Sequence, residues 1–326
     1  MKVRNKMKNK VNLCFLADDN YIMQTAVTIN SIYLNKNNST VYDIYIILNE
    51  GSEENIKRIK NLESIDFKIN IIKIEKIKEL FKFNIAEISA SPTAICKFYI
   101  PEILNEIDKV LYIDGDIVVT DDLFELYNID IKDNYIGAIK DTCGLSRSLF
   151  KLFKKDVFYF NSGVMIMNLK KMRDEKISES LMNYRINGYN QLMDQDALNY
   201  VLKNNVMELP FIYNTQLCCI EDVKRFKDGK KMQVLKEYFK IPYNVVNFDE
   251  IIKKAKVLHY SGSLKPWNQA IVAESDLWVY YYYNSPFKDL ILRKRIKNKK
   301  KVNIINKFFR RIRRYRFMHG FIRRKK

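Results

Sequence analysis

The sequence predicts an α/β fold built on a mixed, mainly parallel sheet flanked by helices. Three observations carry that expectation. Short apolar runs alternate with segments of helical apolar spacing, each run empties into a polar loop, and 47% of the 326 residues are hydrophobic, enough to bury a large core. The first run, residues 11–17, stops at Asp18-Asp19-Asn20, after which Ile22, Ala26, Ile29 and Tyr33 recur as one helix face. The second, β-branched and aromatic, covers 42–48 and turns at Asn49-Glu50-Gly51. It leads into a helix with Ser52 as N-cap and Glu53 and Glu54 in the first turn, where the helix dipole favours carboxylates. Residues 68–74 form a third strand. This order gives parallel strands whose carboxyl ends collect ligands, and the Asp18–Tyr21 loop occupies such an end.

Further along, 109–113 reads as a buried strand emptying into Asp114-Gly115-Asp116, after which Ile117, Val118 and Val119 resume the apolar run. Residues 136–139 before Asp141, and 159–169 containing Asn161-Ser162-Gly163, read as strands. A helix over 178–187 is closed by Gly188 in the C′ position, and another over 194–204 opens with Asp194-Gln195-Asp196. Val257-Leu258-His259-Tyr260 then leads into Ser261-Gly262-Ser263-Leu264-Lys265-Pro266-Trp267.

Charge is segregated. Of the formal +19, the first ten residues carry +5 and the last 39, with nine Lys, nine Arg and one Asp, carry +17, which leaves −3 on the 277 between. A near-neutral body with a basic tail argues against a uniformly basic nucleic-acid-binding domain. No run approaches the roughly 18–20 apolar residues of a spanning helix. The basic start is followed by only seven mostly apolar residues before Asp18, which argues against a secretory signal. Five cysteines without CxxC predict reduced thiols in a cytoplasm and no zinc ribbon. In the tail, Ile305, Phe308, Phe309 and Ile312 recur at i, i+3, i+4 and i+7 among Lys and Arg, the pattern of a basic amphipathic helix lying on an anionic membrane. RNA binding is the rival for such a segment. Trp278 and the tyrosines at 280–283 are expected to pack between tail and body.

Asp-x-Asp alone is a weak signal, and the chain holds a second at Asp194/Asp196. Asp114 and Asp116 differ in being delivered to the functional edge of the sheet, where two carboxylates repel unless a cation lies between them. The chain has two histidines; His319 lies in the tail, so His259 is the body's one imidazole. Two carboxylates and an imidazole suit Mn²⁺ or Mg²⁺, with a substrate diphosphate completing the shell. The glycine-containing loop ending at Lys265 is suited to such an anion.

These residues resemble glycosyltransferase family 8, the retaining enzymes that extend bacterial lipooligosaccharide and lipopolysaccharide cores. Asp18-Asp19-Asn20-Tyr21, Tyr112-Ile113-Asp114-Gly115-Asp116, Phe160-Asn161-Ser162-Gly163, Asp194-Gln195-Asp196, and His259-Tyr260-Ser261-Gly262 through Lys265-Pro266-Trp267 look like its motifs, in order, over residues 11–267. The resemblance implies a GT-A fold and a Mn²⁺-bound UDP-hexose, UDP-galactose or UDP-glucose, as donor. It makes Asp114, Asp116 and His259 the metal ligands. Asp18, Asn20 and Tyr21 would hold uridine, and Gly262 and Lys265 the diphosphate. Asp141, Asn161, Asp194 and Gln195 would line the hexose, with Gln195 near its anomeric carbon. Gly115 and Ser162, inside these motifs, and Lys97 complete the donor-contacting set. Lys97 stands where the family usually has Arg; its alternative is a surface lysine lying along the protein.

The implied organisation is a basic leader over 1–10, a catalytic domain over 11–270, and a helical, basic, membrane-associating region over 271–326. The implied activity is transfer of galactose or glucose to a glycan or lipid-linked acceptor in cell-surface polysaccharide or lipopolysaccharide synthesis, at the cytoplasmic face of the cell membrane. Gln195, Asp194 and Lys265 would serve the chemistry, by same-face return or through a covalent intermediate. Two other readings compete. One is a sugar-nucleotide hydrolase or nucleotidyltransferase, the other a polybasic membrane or RNA adaptor.

Overall fold

The computed structural model describes residues 9–74, 95–142, 158–187, 193–226, 229, 232–233, 236–237, 248–262, 265–268 and 273–289. Leader residues 1–8, Gly188, loop residues 263–264 and the tail from 290, with its amphipathic pattern, lie outside the described residues.

β1 (Asn9–Ala17), α1 (Ile22–Asn35), β2 (Thr40–Leu48), α2 (Glu53–Lys60) and β3 (Phe67–Lys73) form the first half in the order the sequence predicts. Ser52 caps α2 by accepting from the Asn55 N–H at 3.3 Å. After α3 (Ile100–Ile103) come β4 (Lys109–Ile113), β5 (Ile117–Val119), α4 (Phe124–Tyr127), β6 (Ile136–Lys140) and β7 (Phe160–Asn168). They are followed by α5 (Leu169–Asp174), α6 (Ile177–Asn187), α7 (Met193–Leu202) and β8 (Val206–Glu208). Last come β9 (Thr215–Gln216), α8 (Leu217–Phe226), α9 (Phe248–Lys254), β10 (Val257–His259) and α10 (Ser275–Tyr283).

Seven strands form one sheet in the order β3-β2-β1-β4-β7-β6-β8. All its pairings are parallel except those of β7, which runs antiparallel to both β4 and β6. The central strands are buried on both faces, which is why they read as continuous apolar runs. Alternate side chains separate into two cores, as the two-residue period of a strand requires. Leu13, Phe15, Leu111, Ile113, Val164 and Ile166 join α1 and α10 on one face. Cys14, Leu16, Val110, Tyr112, Met165 and Met167 join α5, α6 and α7 on the other. Tyr33, expected on the buried face of α1, sits at its margin with its ring edge against Phe67.

Two features depart from a simple reading. Ile117–Val119 leaves the main sheet and pairs with β10 in a second sheet, β5-β10-β9. Cys218 is disulfide-bonded, which corrects the expectation of reduced thiols throughout. Cys14 and Cys96 are free and buried, and burial pushes the Cys96 thiol up to about 12. α10 docks on α1 through Asn30 and Asn35, whose amides donate to Tyr281 O and Oη at 2.9 and 2.7 Å. Trp278, Tyr282 and Phe287 are buried in the same core, so residues to at least 287 share the core of the body. Among the described residues no helix is long and apolar enough to cross a membrane.

Candidate active site

The reversal of β7 builds the site. Its amino end lies beside the carboxyl end of β4, with Ile113 opposite Val164 and the Asp114 N–H donating to Gly163 O at 2.8 Å. Pairing with β6 jumps from Ala138–Met165 to Ile139–Asn161, so residues 162–164 bulge from the ladder and re-aim Asn161 and Ser162. β10 places His259 opposite Ile117, and the Tyr260 N–H donates to Asp116 O at 3.0 Å. Thus the Asp114–Asp116 turn, the β7 bulge and the end of β10 meet at one edge.

Ligand atoms of Asp114, Asp116 and His259 lie within 4.8 Å of one another. His259 Nε2 is 3.1 Å from Asp116 Oδ1 and 4.0 Å from Asp114 Oδ2. Asp116 and His259 are buried, while the Asp114 side chain is 30% exposed. Two hard carboxylates and one imidazole suit Mn²⁺ or Mg²⁺. The space is kept by Gly163. A Cβ there would come within 2.5 Å of His259 Cε1 and 2.8 Å of Asp114 Oδ2. Burial alone would raise the Asp116 carboxyl, but the His259 ring and the Lys265 ammonium outweigh it and hold it far below the usual carboxylate range.

Lys265 pairs with Asp116 and donates to Tyr260 O at 2.7 Å. Gly262 has φ +89°, a conformation that favours glycine at this bend. Gly115 is explained by packing, since a Cβ would meet Thr25 Oγ1 at 2.4 Å. From α1, Thr28 Oγ1 donates to Ile117 O at 2.7 Å and lies 2.9 Å from Gly115 O, holding the turn.

Lys97 does not lie along the surface. Its side chain is 6% exposed, with Nζ 2.6 Å from Asp194 Oδ2, 3.5 Å from Asp114 Oδ1 and 4.5 Å from the Tyr112 ring centre. Burial works against its charge, yet Asp114 and Asp194 more than offset this and raise its pKa. It therefore joins Asp114 to α7. There Ser162 Oγ donates to Asp194 Oδ2 at 3.1 Å. Gln195 Oε1 accepts from Asn161 Nδ2 and the Ser162 N–H, and Gln195 Nε2 donates to Asp141 Oδ2 at 3.0 Å. α7 is registered by Asn199, which accepts from Phe160 N–H and donates to Phe160 O. Asp196, partner in the second Asp-x-Asp, instead accepts from Tyr159 Oη at 2.6 Å.

At the β1 end, Asp18 Oδ1 accepts from the Tyr21 N–H at 2.9 Å, and Asp19 accepts from Ser52 N–H and Asn55 Nδ2. Asn20 is exposed. Tyr21 stands edge-on to Trp267 at 5.8 Å, and burial together with the Asp116 and Asp114 carboxylates pushes its phenol up. The structure thus gathers Lys97, Asp114, Asp116, Asp141, Asn161, Ser162, Asp194, Gln195, His259 and Lys265 into one bonded network, with Tyr21 beside it. Sequence reasoning quoted Gly163 and Tyr112 within motifs but gave them no role, and it missed Asn214. Asn214, buried, lies 2.9 Å from His259 Nδ1. Tyr112 Oη donates to Asp114 Oδ1 at 2.6 Å. Alternation along β4 could have flagged Tyr112, a polar tip on a buried strand; Asn214 sits in no motif.

The sequence pattern of glycosyl transferase family 8 matches residues 12–270. A lipopolysaccharide 1,2-glucosyltransferase of Escherichia coli K12 is 26% identical over 86% of this chain and 79% of its own length. Another E. coli lipopolysaccharide 1,2-glucosyltransferase is 29% identical over 88% and 82%. The structure of galactosyltransferase LgtC, in complex with donor and acceptor sugar analogues, superposes with a TM-score of 0.67 at 24% identity, over 84% of this chain and 96% of that one. The fold is shared at that level.

Proposed function

The chain belongs to glycosyl transferase family 8, and on that premise we propose that it transfers glucose or galactose from a UDP-sugar to a glycan or lipid-linked acceptor, with divalent-metal assistance and retention of anomeric configuration. The observation that carries the reading is the Asp114, Asp116 and His259 cluster under the space kept by Gly163. Mn²⁺ or Mg²⁺ held by these three residues would supply the positive charge against which a departing UDP builds its negative charge. Gly262 and Lys265 meet the diphosphate from the loop, and Asp18, Asn20 and Tyr21 the uridine.

The residues placed around the hexose support same-face transfer. Both ends of the Gln195 amide are engaged, and an amide is no base. Asp194 is charge-paired with Lys97 at 2.6 Å and accepts from Ser162, so its carboxylate is already engaged. Inversion needs a base opposite the leaving group. Retention asks only that the leaving phosphate take the proton of an acceptor arriving on its own side. The two lipopolysaccharide glucosyltransferase relatives support a role in lipopolysaccharide synthesis. The 18 Lys and Arg of residues 288–326 suit attachment to the anionic inner face of the cell membrane.

The experiment is UDP release from UDP-glucose and UDP-galactose with Mn²⁺. Stimulation by an acceptor glycan is expected. Turnover indifferent to both chelator and acceptor would overturn the reading and favour a hydrolase.

A further inference from the structure

Asp141 stands one residue past the end of β6, and the peptide groups on either side of it are gripped by a single side chain. Gln216, the last residue of β9, donates from Nε2 to Lys140 O at 2.8 Å, while its Oε1 accepts from the Thr142 N–H at 2.8 Å and from Thr142 Oγ1 at 2.8 Å. We propose that Gln216 is a positioning residue for the donor hexose, whose side-chain amide takes the place of a missing strand residue and so holds Asp141 where it meets the sugar.

β6 runs out of partner strand just before the site. On its β8 side the parallel ladder reaches Ala138 opposite Glu208, with the Leu209 N–H donating to Ala138 O at 2.8 Å. Such a ladder would continue with residue 211, its N–H donating to Lys140 O and its carbonyl accepting from the Thr142 N–H. Pro210 intervenes, and Phe211 instead opens a single 3-10 turn in which its carbonyl accepts from the Asn214 N–H at 3.0 Å. The Gln216 amide supplies one donor and one acceptor in the same order, as a peptide unit does. Its direction is set by the backbone, because a carbonyl only accepts and an N–H only donates. The amide therefore fits one way round.

Thr142 and Gln216 are fully buried, so a Thr142 N–H deprived of this acceptor would be an orphan away from water. On the opposite side of β6 the pairing with β7 shifts between Ala138 and Ile139, and beyond it the Asp141 N–H donates to Tyr159 O at 3.0 Å. Held from both sides, Asp141 presents Oδ2 to Gln195 Nε2 at 3.0 Å. Gln216 also lies opposite His259 in the β9–β10 pairing, so one residue sets Asp141 against the strand that carries His259. The consequence for the donor rests on the proposed reading of Asp141 as a hexose contact, whereas the clamp rests on geometry alone.

The full chain is assayed for UDP release from UDP-glucose and UDP-galactose with Mn²⁺, and for inhibition by UDP. Gln216→Met, which keeps length and volume but has no amide, should lower kcat/KM for the UDP-hexose by about tenfold, the worth of one net hydrogen bond to a carboxylate, and leave inhibition by UDP unchanged. Asp141→Ala should lower kcat/KM at least as far. The double variant should be no slower than Asp141→Ala alone, because the clamp acts through that carboxylate. An undiminished kcat/KM in Gln216→Met, losses that multiply in the double variant, or UDP inhibition weakened as much as kcat/KM would overturn the proposal. Thr142→Val removes one of the three bonds and should repeat the pattern at smaller size should Gln216→Met not fold; losses that multiply with Asp141→Ala count against the proposal there too. Hydrogen exchange reads the clamp without turnover: the Thr142 amide should be protected in the unsubstituted chain and exchange faster in Gln216→Met. Fast exchange at Thr142 in the unsubstituted chain overturns the proposal whatever the variants do. If that chain releases no UDP from either donor, the donor reading falls together with the role toward the hexose, and the Thr142 amide alone decides the clamp.

Discussion

Gly163→Ala is the smallest change expected to disable the site while sparing the sheet. The added Cβ would lie 2.5 Å from His259 Cε1, 2.8 Å from Asp114 Oδ2 and 3.0 Å from Asn161 Oδ1, where ordinary contact begins at 3.4 Å. The imidazole must therefore retreat by about 0.9 Å and the carboxylate by about 0.6 Å. Both atoms belong to side chains anchored from behind, His259 by Asn214 and Asp114 by Tyr112, so the strain is not relieved by a free rotation. Overpacking of this kind costs about 1–3 kcal/mol of stability. Functional geometry tolerates roughly 0.5 Å, and a displacement near 1 Å costs about 100-fold in rate. The expected result is a folded protein melting a few degrees lower, with Mn²⁺-dependent UDP release down about 100-fold and Mn²⁺ binding weakened alongside. Gly137→Ala is the control, because its Cβ would press on the side-chain ends of Ile131 and Leu209 at 2.8–3.2 Å, away from the site. It should lower the melting temperature without altering Mn²⁺ affinity. Wild-type turnover and Mn²⁺ affinity in Gly163→Ala would refute the reasoning.

Other outcomes follow from particular contacts. Lys97→Met strips the cation from two partly buried carboxylates, and calorimetry without metal should show a loss of stability, smaller than the about 3–5 kcal/mol of a fully buried pair and reduced by Mn²⁺ because Asp114 regains a positive partner. Ser178 Oγ lies 2.6 Å from Phe98 O and 2.7 Å from Glu102 Oε2, yet a hydroxyl has one proton to donate. Burial raises the Glu102 carboxyl despite Ser178 and Arg173, so its protonated form favours the fold and that contribution is lost as pH rises through the raised value. Glu102→Gln should then gain about 1 kcal/mol at neutral pH, shrinking in acid; a gain independent of pH would contradict this. Truncation after Asp289 keeps Phe287 in the core and should abolish binding to anionic liposomes while leaving turnover on a soluble acceptor intact. The binding lost should also fall with salt, since exposed charges are screened beyond roughly 8 Å at physiological ionic strength.

The first half of the fold was legible because parallel strands buried on both faces leave continuous apolar runs, and because Ser52 and the Asp18–Asn20 loop mark where they end. Strand direction was not. Nothing in the apolar run of β7 records that it is reversed, yet that reversal sets Asn161 and Gly163 against Asp114. The departure of Ile117–Val119 to the second sheet was equally silent, because three buried β-branched residues suit either sheet. Asp114, Asp116 and His259 could be picked out by scarcity and position. Lys97 could be read as a surface residue since its burial depends on Asp194, some hundred residues away. Asn214 acts through contacts to residues far along the chain, with no local pattern to betray it. A lone Cys218 beside Cys219 carries no mark of a bridge.

The most direct test of the central claim is the ¹H spectrum of the product formed from a UDP-α-hexose, glucose or galactose, with Mn²⁺ and an acceptor glycan. Retention at a metal-dependent centre predicts an α-anomeric signal on the extended acceptor, absent with chelator and lost in His259→Ala. A β-anomeric signal, or the same α-product from His259→Ala, would contradict it.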